Sequence, residues 1–149
     1  MKKILLLAVL LAWAPVTTAG NGLDLSSYEA KVVVIDFWAS WCVPCRRSFP
    51  WMNEMRDKYA VHGLVIVAVN LDRSAEDAAR FLAKYPARFQ IAYDPTGAMA
   101  KEYSVEVMPS SIVIGRNGEM IERHAGFKVR QQDEYEATIR AALKLETEK

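Results

Sequence analysis

Two short apolar runs rich in β-branched residues limit the folds that this chain can adopt. Residues 32–37 read VVVIDF, and residues 64–69 read LVIVAV. Continuous apolar runs of this length are typical of strands buried on both faces, as in a parallel sheet covered by helices. Between them, from about Cys42 to Tyr59, apolar residues recur at helical spacing. The order strand, helix, strand predicts a βαβ unit and an α/β domain.

The remaining pattern predicts three more helices and three more strands. The helices are expected over residues 74–85, 96–103 and 131–145, and the strands over residues 90–93, 110–114 and 120–124. Ser74, with Asp77 three residues later, has the pattern of a helix N-cap. Asn117 and Gly118 stand between the last two strands and indicate a hairpin. The hairpin would add an antiparallel edge to a mainly parallel sheet.

Composition excludes several classes of protein. The chain has 149 residues, 52% of them hydrophobic and 25% charged, with a formal net charge of +1. A disordered chain has fewer apolar residues and a larger net charge. So small a net charge gives no electrostatic basis for binding nucleic acid. Two cysteines cannot form a four-thiolate zinc site, and His62 and His124 lack zinc-finger spacing. We expect no metal and no cofactor, and both histidines on the surface.

The first 19 residues have the three parts of a secretory signal peptide. Two lysines precede an apolar stretch, residues 4–16, and small and polar residues follow up to Ala19. The alternative is a membrane anchor that stays attached, although this stretch is shorter than the roughly 20 residues that span a bilayer. We expect residues 1–19 to be a signal peptide and residues 20–149 to be the exported domain. Export to the periplasm, an oxidising compartment, allows a nearby cysteine pair to form a disulfide.

The chemistry is concentrated at Cys42 and Cys45, in the sequence WCVPC. Cysteines at this spacing in the first turn of a helix can close a small disulfide ring. Cys42, at the helix N-terminus, would be stabilised as a thiolate and act as the nucleophile. Cys45, one turn further in, would be more buried and act as the resolving thiol. The alternatives are a structural disulfide, two inert core thiols or half of a metal site, and the position after a buried strand favours the redox interpretation.

Residues 32–50, VVVIDFWASWCVPCRRSFP, resemble the active-site region of thioredoxin-fold proteins. The match includes the WCxPC core, Pro50 five residues after the second cysteine, and a later proline before an apolar strand in residues 108–114. Exported members of the TlpA-like branch, which includes thiol reductases of sporulation and cytochrome c maturation, look similar. The resemblance implies a thioredoxin-like fold, a central mixed sheet flanked by helices. It also implies an extra helix-strand unit over residues 74–93.

Asp36 stands inside the first apolar strand. By alternation it shares a face with Val32 and Val34, so its carboxyl should be desolvated, which raises its pKa. Its position matches the buried aspartate of thioredoxins, and the resemblance implies a proton relay that takes the proton of Cys45. The alternative is an edge-strand aspartate that reaches solvent.

Three residues near the cysteines are candidates for binding substrate. Trp41 precedes Cys42 and is expected to be an exposed contact surface for protein partners. The resemblance implies a cis peptide bond between Met108 and Pro109, packed against the cysteine pair. Met108 would then present an unpaired backbone edge to an extended substrate segment. The alternative is a proline that simply begins a strand.

The pair between the cysteines bears on the direction of electron flow. Val43 and Pro44 offer no side-chain donor to a thiolate, which favours a more reducing couple. We expect a reductase of protein disulfides in the bacterial cell envelope, with apocytochrome c among the candidate substrates. The resemblance implies a membrane electron donor of the DsbD or CcdA type. The alternatives are an envelope oxidase or isomerase, and a thioredoxin-fold binding module whose cysteines gate affinity for a partner.

Overall fold

A computed structural model describes residues 23–145. It contains five strands and four α-helices: β1 Val32–Trp38, α1 Cys45–Tyr59, β2 Leu64–Asn70, α2 Ala75–Lys84, β3 Gln90–Tyr93, α3 Ala98–Glu102, β4 Ser110–Ile114, β5 Met120–Ala125 and α4 Gln132–Leu143. The predicted signal peptide, residues 1–19, lies outside the described residues. Within the described part of the chain, no helix has the length and apolar character needed to cross a membrane.

The five strands form one mixed sheet in the order β3-β2-β1-β4-β5. The pairs β1/β2 and β2/β3 are parallel, whereas β1/β4 and β4/β5 are antiparallel. Strand β1 is central, and all seven of its residues are buried, as a continuous apolar run predicts. The predicted mixed α/β architecture is confirmed, and α2 with β3 forms the helix-strand unit expected over residues 74–93.

The two faces of the sheet have separate apolar clusters. Even-numbered side chains of β1, such as Val34 and Trp38, pack with residues of α1, α2 and α4. Odd-numbered side chains, such as Ile35 and Phe37, pack with α3 and with the lead-in segment around Tyr28. Because successive side chains of a strand point to opposite faces, Asp36 belongs to the face that α1 covers. The fold therefore directs this carboxyl toward the helix that carries Cys45.

Helix α1 begins three residues later than the sequence suggests. The prediction started it near Cys42, but its first residue is Cys45. Val43 and Pro44 form a turn instead, in which the Arg46 N–H donates to the Val43 carbonyl at 3.2 Å. Cys42 therefore lies just before the first turn of the helix rather than inside it.

The starts of α2 and α3 also differ from the prediction in detail. Ser74 is the N-cap residue of α2, but its side chain makes no capping hydrogen bond, and Asp77 pairs with Arg80 instead. Helix α3 is shorter than residues 96–103 because Asp94 occupies its N-terminal N–H groups. The Asp94 carboxylate accepts from Ala98 N at 2.9 Å and from Ala100 N at 3.0 Å. A side chain outside the helix thus fixes where α3 begins.

The predicted hairpin between β4 and β5 is present, with a longer turn than a two-residue Asn-Gly connection. Gly115 and Glu119 close the loop through a Gly115 N–H to Glu119 carbonyl bond of 2.8 Å. Gly118 has φ of +79°, in the left-handed region that glycine adopts without steric cost. A turn followed by a left-handed residue is typical of three-residue hairpin loops.

An aromatic cluster anchors α1 and α2 on the sheet. The ring of Trp38 lies 4.9 Å from that of Phe49 and 4.8 Å from that of Phe81, measured between centroids. Phe49 also contacts Phe81 at 5.0 Å and Phe89 at 5.3 Å. Phe49 is the residue common to most of these contacts, and it lies one turn beyond Cys45. Packing at Phe49 therefore holds the beginning of α1 against the sheet.

Phe49→Ala is expected to lower the free energy of unfolding by about 3–5 kcal/mol, because it removes a buried ring and leaves a cavity. Val61→Ala is the matched control, since Val61 is 85% exposed and its truncation should change stability by about 0.5 kcal/mol or less. Urea unfolding of the oxidised protein measures both. Equal effects of the two substitutions would contradict this account of the core.

Candidate active site

The two cysteines lie in the loop between β1 and α1 and form a disulfide. Their Cα atoms are 5.3 Å apart, and the Cys42 N–H donates to the Ala39 carbonyl at 3.1 Å. Cys42 is 3% exposed and Cys45 is fully buried. Trp41, by contrast, is 66% exposed beside them, and Val43 is also exposed. The pair can therefore be approached from the side of Cys42, across an apolar surface formed by Trp41 and Val43.

Asp72 ties this loop to the end of β2. Its carboxylate accepts hydrogen bonds from Ser40 N and Ser40 Oγ, both at 2.9 Å, and from Asn70 Nδ2 at 2.8 Å. The Leu71 N–H also donates to the Trp38 carbonyl at 2.9 Å. Asp72 was not predicted as a site residue. The available signal was a carboxylate two residues beyond β2, because the carboxyl ends of neighbouring parallel strands meet at one edge.

Asp36 is buried in the middle of the sheet, as expected, and is 1% exposed. Its partners on the neighbouring strands are Ala68 on β2 and Ser111 on β4. Ser111 Oγ donates to Asp36 Oδ1 at 2.6 Å, whereas Oδ2 is buried and has no hydrogen-bond partner within residues 23–145. Desolvation raises the pKa of Asp36 to about 7, although the Ser111 hydrogen bond opposes this shift. Near neutral pH this carboxyl can therefore both accept and give a proton.

The loop before β4 contains Pro109, the later of the two prolines that match thioredoxin-fold proteins. The Met108–Pro109 peptide bond is cis, and Pro109 is buried. Met108 is half-buried and packs against the apolar cluster that contains both cysteines. Among residues 23–145, neither the N–H nor the carbonyl of Met108 takes part in a hydrogen bond, while the Pro109 carbonyl accepts from Gly126 N at 2.7 Å. The loop thus offers free backbone groups on the cysteine side of the sheet.

The expectation that both histidines lie on the surface is wrong for His124. His62 is exposed, but His124 is half-buried, and its Nε2 is inaccessible with no hydrogen-bond partner in the described range. Its ring centroid lies 4.7 Å from that of Tyr135, and burial lowers its pKa. His124 lies opposite Ser111 on the neighbouring strand. This cross-strand register could not be predicted from the sequence alone.

No set of three or more His, Cys, Asp or Glu side chains in residues 23–145 is arranged to hold a metal ion.

Comparison with known proteins supports the chemistry of this site. The Redoxin family model matches residues 10–139. The thiol-disulfide oxidoreductase ResA of Bacillus thuringiensis subsp. konkukian (strain 97-27) is 32% identical over 117 residues, which are 78% of this chain and 68% of that protein.

Solved structures of thiol-disulfide exchange proteins are also similar to this chain. A crystal structure assigned as the thiol:disulfide interchange protein DsbE of Chlorobium tepidum is 50% identical, with a TM-score of 0.78, and the match covers 80% of this chain and 84% of that one. The structure of dsbF from MTB, at 24% identity, has a TM-score of 0.69 over 78% of this chain and 84% of its own, which supports the fold. With a thioredoxin-like fold and a disulfide between Cys42 and Cys45, the chain belongs to the Redoxin family and is a thiol-disulfide oxidoreductase.

Proposed function

We propose that this protein reduces the disulfides of other proteins after export to the bacterial cell envelope. The observation that carries the proposal is the setting of the dithiol, which has only Val43 and Pro44 between its cysteines and a buried Asp36 on the α1 side of the sheet. Neither intervening side chain can donate a hydrogen bond to a thiolate. A negative charge on Asp36 would also disfavour a nearby thiolate. Weak stabilisation of the thiolate makes a couple more reducing.

In the proposed reaction, Cys42 attacks and Cys45 resolves. The Cys42 thiolate attacks one sulfur of a substrate disulfide, the substrate S–S bond breaks, and the other sulfur leaves as a thiolate. Cys45 then loses its proton and attacks Cys42 Sγ. The bond between Cys42 and the substrate breaks as the Cys42–Cys45 disulfide forms, so two electrons pass to the substrate. The position of Cys42 before the first turn of α1, beside the exposed Trp41, supports this division of roles.

Asp36 is the proposed acceptor of the Cys45 proton. Its side chain lies on the sheet face covered by α1, and Cys45 is the first residue of that helix. A general base works best when its pKa lies near the operating pH, and the pKa of about 7 for Asp36 meets this condition. Its free Oδ2 is the oxygen available to take a proton.

Substrate chains are proposed to bind across Trp41 and the Met108–Pro109 loop. The unpaired backbone groups of Met108 can pair with an extended segment, as in other forms of strand addition. The exposed ring of Trp41 would add apolar contact beside the reacting sulfur.

The cellular context is also a proposal. The sequence of residues 1–19 supports export to the periplasm, and the domain would then consist of residues 20–149. There the protein would need reducing equivalents from a membrane donor of the DsbD or CcdA type. Its substrates would be disulfides of exported proteins, apocytochrome c among them.

Trapping tests the proposed roles of the cysteines. Reduced Cys45→Ser should accumulate a mixed disulfide with insulin on non-reducing gels, because no second thiol can resolve it. Cys42→Ser should trap little, since it lacks the attacking thiol, and the double variant is the control. Equal trapping by both single variants would contradict the assignment. A wild-type protein that fails to turn over insulin with dithiothreitol would instead favour a binding module.

Asp36→Asn tests the relay and the cost of burying the carboxyl. The substitution should slow resolution of a mixed disulfide near neutral pH. In the wild type, the folded state keeps a proton that the unfolded chain releases above about pH 4, so stability should fall as pH rises from about 4 to about 7. The variant should lack this fall and be more stable above pH 7 by up to about 4 kcal/mol.

Urea unfolding of the oxidised protein and stopped-flow kinetics measure these two effects of Asp36→Asn. The exposed Asp133→Asn is the control and should follow the wild-type profiles. Resolution rates identical to wild type between pH 6 and 9 would leave Asp36 with a structural role only.

The reduction potential tests the direction of electron flow. We expect a value below roughly −220 mV for the Cys42–Cys45 couple, toward the thioredoxin value of about −270 mV. Pro44→His should raise it, because an imidazole can stabilise the Cys42 thiolate, whereas Val61→His at a remote exposed site should not. Equilibration with glutathione or dithiothreitol gives the values. A wild-type potential near about −120 mV would reverse the proposed direction and favour an oxidase.

A further inference from the structure

Three polar side chains lie side by side on three neighbouring strands. Asp36 on β1 is the register partner of Ser111 on β4, and Ser111 is the register partner of His124 on β5. Directly opposite residues in antiparallel strands project to the same face of the sheet. A row of polar groups therefore runs from the centre of the sheet to its edge.

The first contact in this row is a hydrogen bond. Ser111 Oγ donates to Asp36 Oδ1 at 2.6 Å, so Oδ1 is occupied and Oδ2 is left without a partner among residues 23–145. The bond fixes the orientation of the carboxyl. It also favours the ionised form, the form that can accept a proton.

The second contact runs through a small cavity. Ser111 and His124 both line it, and its other walls are mainly apolar, including Trp51 and Tyr135. Its volume of about 10 Å³ is close to the minimum that holds one water molecule. His124 Nε2 is buried without a partner, so a water there could bridge it to the Ser111 hydroxyl. His124 as a whole is only half-buried, and Nε2 is the ring nitrogen that is inaccessible.

We propose that Asp36, Ser111 and His124 form a proton path that joins the buried carboxyl to solvent across β1, β4 and β5. This inference rests on the proposed function, in which Asp36 takes the proton of Cys45. Once protonated, the Asp36 carboxyl turns so that its O–H donates to Ser111 Oγ, which reverses the hydrogen bond. The Ser111 hydroxyl then gives its own proton to one water, and that water gives a proton to His124 Nε2. The imidazole releases a proton to solvent from its other nitrogen, so Asp36 returns to the carboxylate and His124 to its neutral form. No electrons move in this part of the cycle.

Burial lowers the pKa of His124 and keeps the ring neutral at rest, while two nearby carboxylates act in the opposite direction. Glu122 on β5 and Glu134 on α4 both favour protonation of the ring, whereas burial opposes it and lowers the pKa. The Tyr135 ring of α4 packs against the imidazole. A residue that is neutral at rest, with two carboxylates nearby, can accept a proton and release it again.

The test follows the second phase of the reaction between the reduced protein and Ellman's reagent. The first nitrothiobenzoate is released when Cys42 forms the mixed disulfide, and the second when Cys45 resolves it, so the second phase reports the step that needs Asp36. Stopped-flow absorbance from pH 5 to 9 gives the rate profile of that phase. Thermal unfolding checks that each variant is folded.

Ser111→Ala should shift the rising limb of the pH-rate profile, so that its midpoint lies about one pH unit higher. The reason is that a hydrogen bond to the charged Asp36 carboxylate is lost. Ser111→Thr keeps the hydroxyl and should keep the wild-type midpoint. His124→Ala should slow the second phase, and imidazole buffer should restore it in a saturating manner. His124→Gln should be slow in the same way, and the exposed His62→Ala should match the wild type.

An unchanged midpoint in Ser111→Ala, or a wild-type rate in His124→Ala without imidazole, would overturn the path. The Asp36→Asn variant shows whether only the proposed proton path is wrong or the proposed proton transfer from Cys45 to Asp36 is wrong as well. If Asp36→Asn loses the rising limb while the Ser111 and His124 variants keep the wild-type profile, the path is wrong and the relay stands. If Asp36→Asn keeps the wild-type profile, both are wrong.

Discussion

Complete burial of β1 is the constraint from which both the fold and the chemistry follow. The strand pairs with β2 on one edge and β4 on the other, and helices cover both of its faces. A carboxyl within such a strand cannot reach water, so Asp36 holds its proton to a higher pH than an exposed aspartate does. The same strand ends at Trp38, four residues before Cys42, so the core of the domain also positions the reactive loop.

The loop and the helix start that carry the two cysteines are both held in place by the rest of the domain. Asp72 holds the loop through Ser40, and Phe49 packs the start of α1 onto the sheet, so the cysteine that begins this helix is fixed from both sides. Cys42 lies nearer to the surface, where Trp41 is exposed. Because Asp36 and Cys45 share a face of the core, redox chemistry and proton transfer are expected to be coupled.

Much of this structure was predictable from local sequence. The apolar runs of β1 and β2 and the Asn-Gly turn determine the sheet and its hairpin, and the Cys-Val-Pro-Cys spacing identifies the disulfide. The features that were not predicted depend on contacts between distant segments. The start of α3 depends on Asp94, the loop anchor on Asp72, and the burial of His124 on Tyr135. A single sequence carries the pattern of each element, but not the cross-strand register that brings Ser111 between Asp36 and His124.

The proposed mechanism requires a buried carboxyl to exchange protons with the dithiol near neutral pH. The most direct measurement is the titration of Asp36 in the oxidised protein, followed by the NMR shift of its isotopically labelled carboxyl carbon, with Asp36→Asn used to assign the signal. We predict a midpoint near pH 7, well above that of an exposed aspartate. A midpoint near pH 4 would contradict the account, because a carboxylate with so low a pKa is too weak a base to take the proton of Cys45 efficiently near neutral pH.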